Sequence, residues 1–237
     1  LFQMQNNNLS VWKDASIISI VGPDAENFLQ GYTTSDVSRC TSENLTPMAI
    51  TDIKGRVLAS GWSTRRENGI ELIIHESLKK NVEAFLKPYI QFSKSVLAES
   101  NKKVYHCETG MRLLDGIFVR LMETDQNAEN SNEKNEAVSR SLIQNNFTFV
   151  QDRVSAQFLP QQLGLHKVNA VDFDKGCYLG QEVVARAQFR GTIKRGLAAF
   201  TIDERANVEL GRVYETADAK GEVVMVGEQQ GLWVTRL

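Results

Sequence analysis

One stretch narrows the choice of fold more than any other: "MAITDIKGRVLASGWSTRRENGIELIIHES", residues 48–77. It holds three strand-like runs, broken at Lys54-Gly55 and at Glu67-Asn68-Gly69. An Asn-Gly pair takes the positive φ angles of a two-residue hairpin turn at little cost, so the runs flanking it pair antiparallel. Upstream, "SIISIVG" (16–22) has strand composition and stops at a glycine. "PDAENFLQG" (23–31) then offers Pro23 and Asp24 for the first turn of a short helix with Phe28 and Leu29 as its apolar face. Downstream, "SLKKNVEAFLKPYI" (77–90) sets Leu78, Val82, Phe85, Leu86 and Ile90 at helical spacing, with Pro88 near the end. Strands joined by hairpins, with the helices set apart, predict an α+β architecture. No GxGxxG follows a strand and no GxxxxGK[ST] is present, which argues against a nucleotide-binding unit of either type.

The remainder divides unevenly. "GMRLLDGIFVRLME" (110–123) reads as strand, and "TDQNAENSNEKNEAVSR" (124–140) is nearly free of apolar residues and reads as a mobile surface insertion. From residue 196 four short strand candidates follow at turn-delimited spacing, enough for a small β module. The expected division is therefore 1–195 and 196–237. Asp36 is expected at a cap or turn.

Charge and cysteine usage exclude several classes. The 237 residues carry a formal net charge of −2, so no global field draws the molecule to nucleic acid or membrane. Cys40, Cys107 and Cys177 are far apart, with no CxxC and no histidine pair beside them. That excludes a disulfide framework and predicts no metal site of the chain's own, since an iron–sulfur cluster usually takes four thiolates. A reducing cytoplasm fits best. "LFQMQNNNLSVWKDAS" lacks the basic-then-apolar order of a signal peptide, and no run of about 18 apolar residues occurs. His75, His106 and His166 are isolated, so a hydrolase triad is not supported.

Chemistry concentrates in "DFDKGCYLGQEVVARAQFRGTIKRG" (172–196). From Cys177 a helix would place Cys177, Gln181, Val184 and Gln188 on one face, with Glu182 and Arg186 four apart. Gly180 costs such a helix about 1 kcal/mol relative to alanine, which points to a close backbone approach or an irregular first turn. A thiol at a helix N-terminus beside Lys175 is a reactive or metal-ligating candidate. A small buried cysteine is as ordinary a reading. Tyr178 is either core or a stacking platform, and Glu182 with Arg186 reads most simply as an exposed ion pair.

The string "KGCYLGQE", preceded by "QFLPQQLGL" and followed by "VVARAQFRGTIKRGL", closely resembles the signature of the YgfZ-type folate-binding proteins, relatives of the glycine-cleavage T protein, an aminomethyltransferase. The resemblance extends to "SIISIVGPDAENFLQGYTTSDVS" and "TDIKGRVLAS". It implies a T-protein-like fold of antiparallel sheets and helices around a central channel, with a small C-terminal β-barrel-like module. It further implies binding of tetrahydrofolate or another folate, and a role in assembling or repairing iron–sulfur enzymes, including those that modify tRNA. Lys175 and Cys177 match the family's singled-out positions, and Tyr178, Gln181, Glu182 and Arg186 are the expected cofactor-binding residues. Expected partners are iron–sulfur client enzymes or assembly factors.

Two departures set this chain apart from the transferases. Ala59 and Ser60 stand where a catalytic acid is wanted, and losing that charge stabilisation costs orders of magnitude in rate. Leu142 and Gln144 stand where transferases tend to carry a charged pair. An accessory role is thus favoured over the alternative, a tetrahydrofolate-dependent one-carbon transferase. Direct RNA binding through Arg186, Arg190, Lys194 and Arg195 beside Phe189 is a further reading, against which a solvated hairpin face is the simpler account.

Overall fold

The computed structural model describes residues 9–125, 128–203 and 206–237. The elements in chain order are β1 (Ser10–Val11), β2 (Ala15–Val21), α1 (Ala25–Gln30), β3 (Thr46–Thr51), β4 (Val57–Arg66), β5 (Gly69–His75), α2 (Lys79–Ile90) and β6 (Val96–Ala98). Then come β7 (Lys102–Cys107), β8 (Met111–Leu114), β9 (Ile117–Glu123), α3 (Asn132–Gln144), α4 (Gln181–Phe189), β10 (Arg195–Thr201), β11 (Val213–Glu215), β12 (Lys220–Val226) and β13 (Gln230–Arg236). Antiparallel pairing builds three sheets, ordered β3-β4-β5-β2-β6, β1-β7-β9-β8 and β10-β13-β12-β11.

The first sheet is the one its turns require. Arg66 pairs with Gly69 across Glu67 and Asn68, so the turn lies one residue before the Asn-Gly pair, neither Asn68 nor Gly69 takes a positive φ, and the β4–β5 register follows from this hairpin. Strand β2 is buried over nearly its whole length, because β5 and β6 flank it and α2 packs on the sheet with Val82, Leu86 and Ile90. Asp24 occupies the cap position of α1, yet its side chain makes no capping bond and accepts instead from the Lys94 backbone N–H at 2.9 Å. Asp36 behaves as expected, taking Ser38 N–H at the head of a single 3-10 turn.

The described C-terminal part of the polar stretch 124–140 is ordered as a helix, not the mobile insertion its composition suggests. From Asn132 it is α3, capped by Ser131, which accepts from Lys134 N–H at 3.3 Å. Val138, Leu142 and Ile143 are buried, so the apolar stripe lies in the helix's second half, mostly beyond the polar window. Residues 126–127 of that stretch, like 1–8 of the N-terminus, lie outside the described residues.

The C-terminal sheet is open: among the described residues its outer strands do not pair into a closed barrel. One group of its side chains, Val224, Met225, Leu232 and Val234, joins the main core. A second group, Phe200, Val223 and Trp233, makes a small cluster of its own, with Phe200 stacked on Trp233 at 4.6 Å. Between α3 and α4 runs a turn-rich segment without regular strands that still buries Phe147, Phe149, Phe158 and Leu163. No helix among the described residues is long and apolar enough to cross a membrane.

Candidate functional site: the Lys175–Gly180 loop

The loop is assembled by backbone groups from the far N-terminal part of the chain. Lys175 is buried, and its Nζ donates to the carbonyls of Gln30 (2.8 Å), Thr33 (2.7 Å) and Ser35 (3.0 Å). An ammonium has three protons, and three acceptors use all of them. The Tyr178 ring completes the shell, its centroid 5.2 Å from Nζ. Burial pulls the Lys175 pKa down to about 8, while the carboxylates of Asp36 and Asp172 oppose the fall. Asp36 is itself held below the usual carboxylate range, chiefly by the Ser38 side chain, with Gln30 and Arg39 adding to it. Burial pushes the Tyr178 phenol up to about 12.

Neighbouring bonds pin the rest of the loop. Asp172 N–H donates to Thr34 O at 2.8 Å, and Thr34 Oγ1 donates to Ala170 O at 2.5 Å. Leu179 N–H donates to Gly31 O at 2.9 Å, and Thr51 Oγ1 donates to Leu179 O at 2.6 Å. Arg39 pairs with Asp172 at 3.1 Å. Gly180 closes the loop at φ +86, where a Cβ would stand 2.3 Å from Asp52 O and 2.9 Å from Gly55 Cα. Only glycine fits a left-handed backbone pressed so closely on another turn.

This geometry corrects two expectations. Cys177 does not open a helix: α4 begins at Gln181, after the left-handed Gly180, because the backbone must first turn over the β3–β4 turn. Nor does Lys175 serve the thiol, since its protons are committed to carbonyls. Cys177 is nevertheless exposed, whereas Cys40 and Cys107 are buried. Gly176 beside it has open space around it. The loop therefore holds its ends rigidly and presents one thiol to solvent.

The other named residues sort by exposure. Tyr178 is buried and Gln181 half-buried, while Glu182 and Arg186 are exposed and do not form the expected ion pair. Arg195 leaves the expected basic run: it pairs with Glu222 at 3.3 Å and lies over the Phe158 ring at 5.6 Å. His166 lines a cavity of about 520 Å³ with Gln161 and Gln188, away from Lys175 and Cys177. Among the described residues no group of three or more His, Cys, Asp or Glu side chains is placed to hold a metal ion.

Positions 59 and 60 face the interior. Ala59 is buried, and Ser60 Oγ donates to Thr148 O at 2.6 Å while accepting from Val150 N–H at 2.9 Å. Leu142 is core and Gln144 is exposed.

Sequence reasoning missed the residues that build the loop: Thr34, Asp52, Gly55 and Gln30. Gln30 donates to Asp36 Oδ1 at 3.0 Å and accepts from Val37 N–H at 2.9 Å, which shapes the turn whose carbonyls take Lys175. The available signal was that "GYTTSD" and "KGCYLGQE" belong to one resemblance, which suits segments that touch.

The fold defined by these sheets and this loop is that of the aminomethyltransferase T proteins. The crystal structure of the glycine cleavage system aminomethyltransferase T from Bartonella henselae superimposes with a TM-score of 0.64 at 13% identity, covering 96% of this chain and 78% of that one. No protein-family model matches the chain. It is 30% identical over 227 residues to the tRNA-modifying protein YgfZ of Escherichia coli O157:H7, covering 79% of this chain and 70% of the relative. A YgfZ of Escherichia fergusonii is 28% identical over 223 residues, covering 78% and 68%. A Haemophilus influenzae protein is 32% identical over 214 residues, covering 84% and 75%. The chain belongs to the YgfZ family.

Proposed function

We propose that this chain is a folate-binding accessory protein for the assembly or repair of iron–sulfur enzymes, among them enzymes that modify tRNA, and that it acts in the cytoplasm through the KGCYLGQE segment. The observation that carries the reading is the loop itself: Lys175 is tied to three carbonyls and Gly180 is wedged on Asp52, yet Cys177 between them is exposed. Such a loop suits a thiol that must meet a client or assembly factor, because little ordering entropy is left to lose on contact. Lys175 is then a positioning residue for Cys177. We take 1–195 as the folate-binding body and 196–237 as a short C-terminal β module.

Residues for a folate are at hand on the first two turns of α4. Arg186 is exposed and forms no ion pair among the described residues, suited to a bidentate grip on the glutamate tail. Glu182 is free to accept from the amino group of a pterin, with Gln181 beside it and Tyr178 keeping the loop in place. A bound folate would supply a one-carbon carrier. The alternative, a one-carbon transferase, would need a carboxylate where the chain has buried Ala59 and a Ser60 hydroxyl engaged on both sides.

The test is a tetrahydrofolate titration of wild type and Cys177→Ala by calorimetry, paired with complementation in cells lacking the chain. Micromolar binding by both proteins, with only the wild type restoring iron–sulfur tRNA-modifying activity, is the expected result. Absence of binding, or full restoration by Cys177→Ala, overturns the reading.

A further inference from the structure

We propose that the outward face of α4, together with the β3–β4 turn, is a docking surface for RNA and takes unpaired nucleotides. Lys54, Arg56, Arg186, Arg190 and Lys194 are all exposed and, among the described residues, none of them enters an ion pair, although the Arg56 guanidinium donates to Gln157 O. Other exposed cations, among them Lys80, Lys87, Lys103 and Arg236, also stand outside the ion pairs of the described residues, so what sets these five apart is their place on two touching elements beside an exposed aromatic ring.

The two elements form one surface. Gly55, between Lys54 and Arg56, lies so close to α4 that a Cβ there would stand 3.1 Å from the Val183 side chain. Arg186 and Arg190 follow along the helix, and Lys194 lies in the segment after it. The acids on these elements are Glu182 and Asp52, and Asp52 Oδ1 is already taken by the backbone N–H groups of Lys54 and Arg56. A chain of net charge −2 thus still sets five exposed cations on two adjoining elements.

A polyanion satisfies these cations by releasing its counterions. What selects RNA with unpaired bases is Phe189, which is 69% exposed beside Arg190 and meets the Phe173 ring edge-on at 5.5 Å. An aromatic face beside cations is a stacking platform for a splayed base, and a duplex has none to offer. An acidic protein would satisfy the charges and leave the ring in water.

The experiment is fluorescence anisotropy of the full chain, without folate, against a labelled single-stranded RNA of about twelve nucleotides. With Arg56 held by Gln157 O, the phosphate contacts of Lys54, Arg186, Arg190 and Lys194 predict that affinity falls roughly 50-fold between 50 and 200 mM salt. The triple variant Lys54→Glu, Arg190→Glu, Lys194→Glu should bind at least about tenfold more weakly with an unchanged melting curve, since all three side chains are exposed. Phe189→Ala should cost about tenfold while leaving the salt slope intact. No binding at 50 mM salt, equal binding by the triple variant, or tighter binding of polyglutamate than of RNA overturns the proposal. RNA is titrated without folate, so failure of the folate reading leaves this result untouched.

Discussion

On β4, Ser60 and Trp62 point into an interior where both bonding directions of the hydroxyl are taken and the rings of Trp12, Trp62, Phe147 and Phe149 contact one another at 4.3 to 6.2 Å. The Lys175–Gly180 loop is bound as tightly at its two ends, yet it leaves Cys177 between them to solvent, as α4 just after it leaves Glu182 and Arg186. The interior spends its polar groups on holding itself together. The loop uses the same kind of bond to hold other groups out. Positions 59 and 60 are closed and packed.

The sharpest way to break this contrast is to remove the interior's largest ring. Trp62→Ala should destabilise by about 3–5 kcal/mol in urea denaturation, because it deletes a fully buried side chain stacked on Phe147 at 4.3 Å. A cost below about 1 kcal/mol would mean that this region is not the packed body it is taken to be. Gly180→Ala is the matching blow to the loop, expected to cost about 3 kcal/mol from left-handed strain and the clash with Asp52 O. Proteolysis near residue 177 should rise with it.

Lys175→Met removes the ammonium and leaves three carbonyls without their donor, for an expected loss of about 2 kcal/mol. Lys175→Arg should not rescue it, since a planar fork cannot meet three carbonyls converging on one point. Full stability in Lys175→Met would show that the loop stands without its anchor. The smallest effect concerns acid. His75 is held below its ordinary value of 6.5, mainly by burial, against Phe149 at 5.4 Å. The unfolded chain then binds that proton more readily, so the stability present above pH 6.5 is lost as pH falls below it. His75→Gln should flatten the melting temperature's dependence on pH in that window, and an unchanged slope would remove His75 from the interior's account.

Much of the first sheet was legible because its instructions are local. Lys54-Gly55 marks a turn through a glycine at positive φ, Glu67-Asn68-Gly69 marks the hairpin between two strand-like runs, and the apolar spacing of α2 needs no partner to be read. Stretch 124–140 misled for the complementary reason: the residues that anchor α3, Val138, Leu142 and Ile143, lie mostly past the polar window, and their burial is decided by what packs on them. Arg195 was grouped with the basic run by proximity in sequence, while Glu222 and Phe158, which claim it, are distant along the chain.

By itself the sequence determined the α+β class, the first hairpins and the kinship carried by "KGCYLGQE". Its residue types also marked Lys175, Cys177 and Gly180 as the positions to watch. Only the tertiary structure decided what each of them does: Lys175 turns inward to carbonyls about 140 residues earlier in the chain, Gly180 lies against Asp52, and Cys177 is left outside. The reason is physical. A turn or an amphipathic helix is specified by neighbours a few residues away, whereas the direction of a buried ammonium is set by wherever the fold brings enough unpaired acceptors to replace its water.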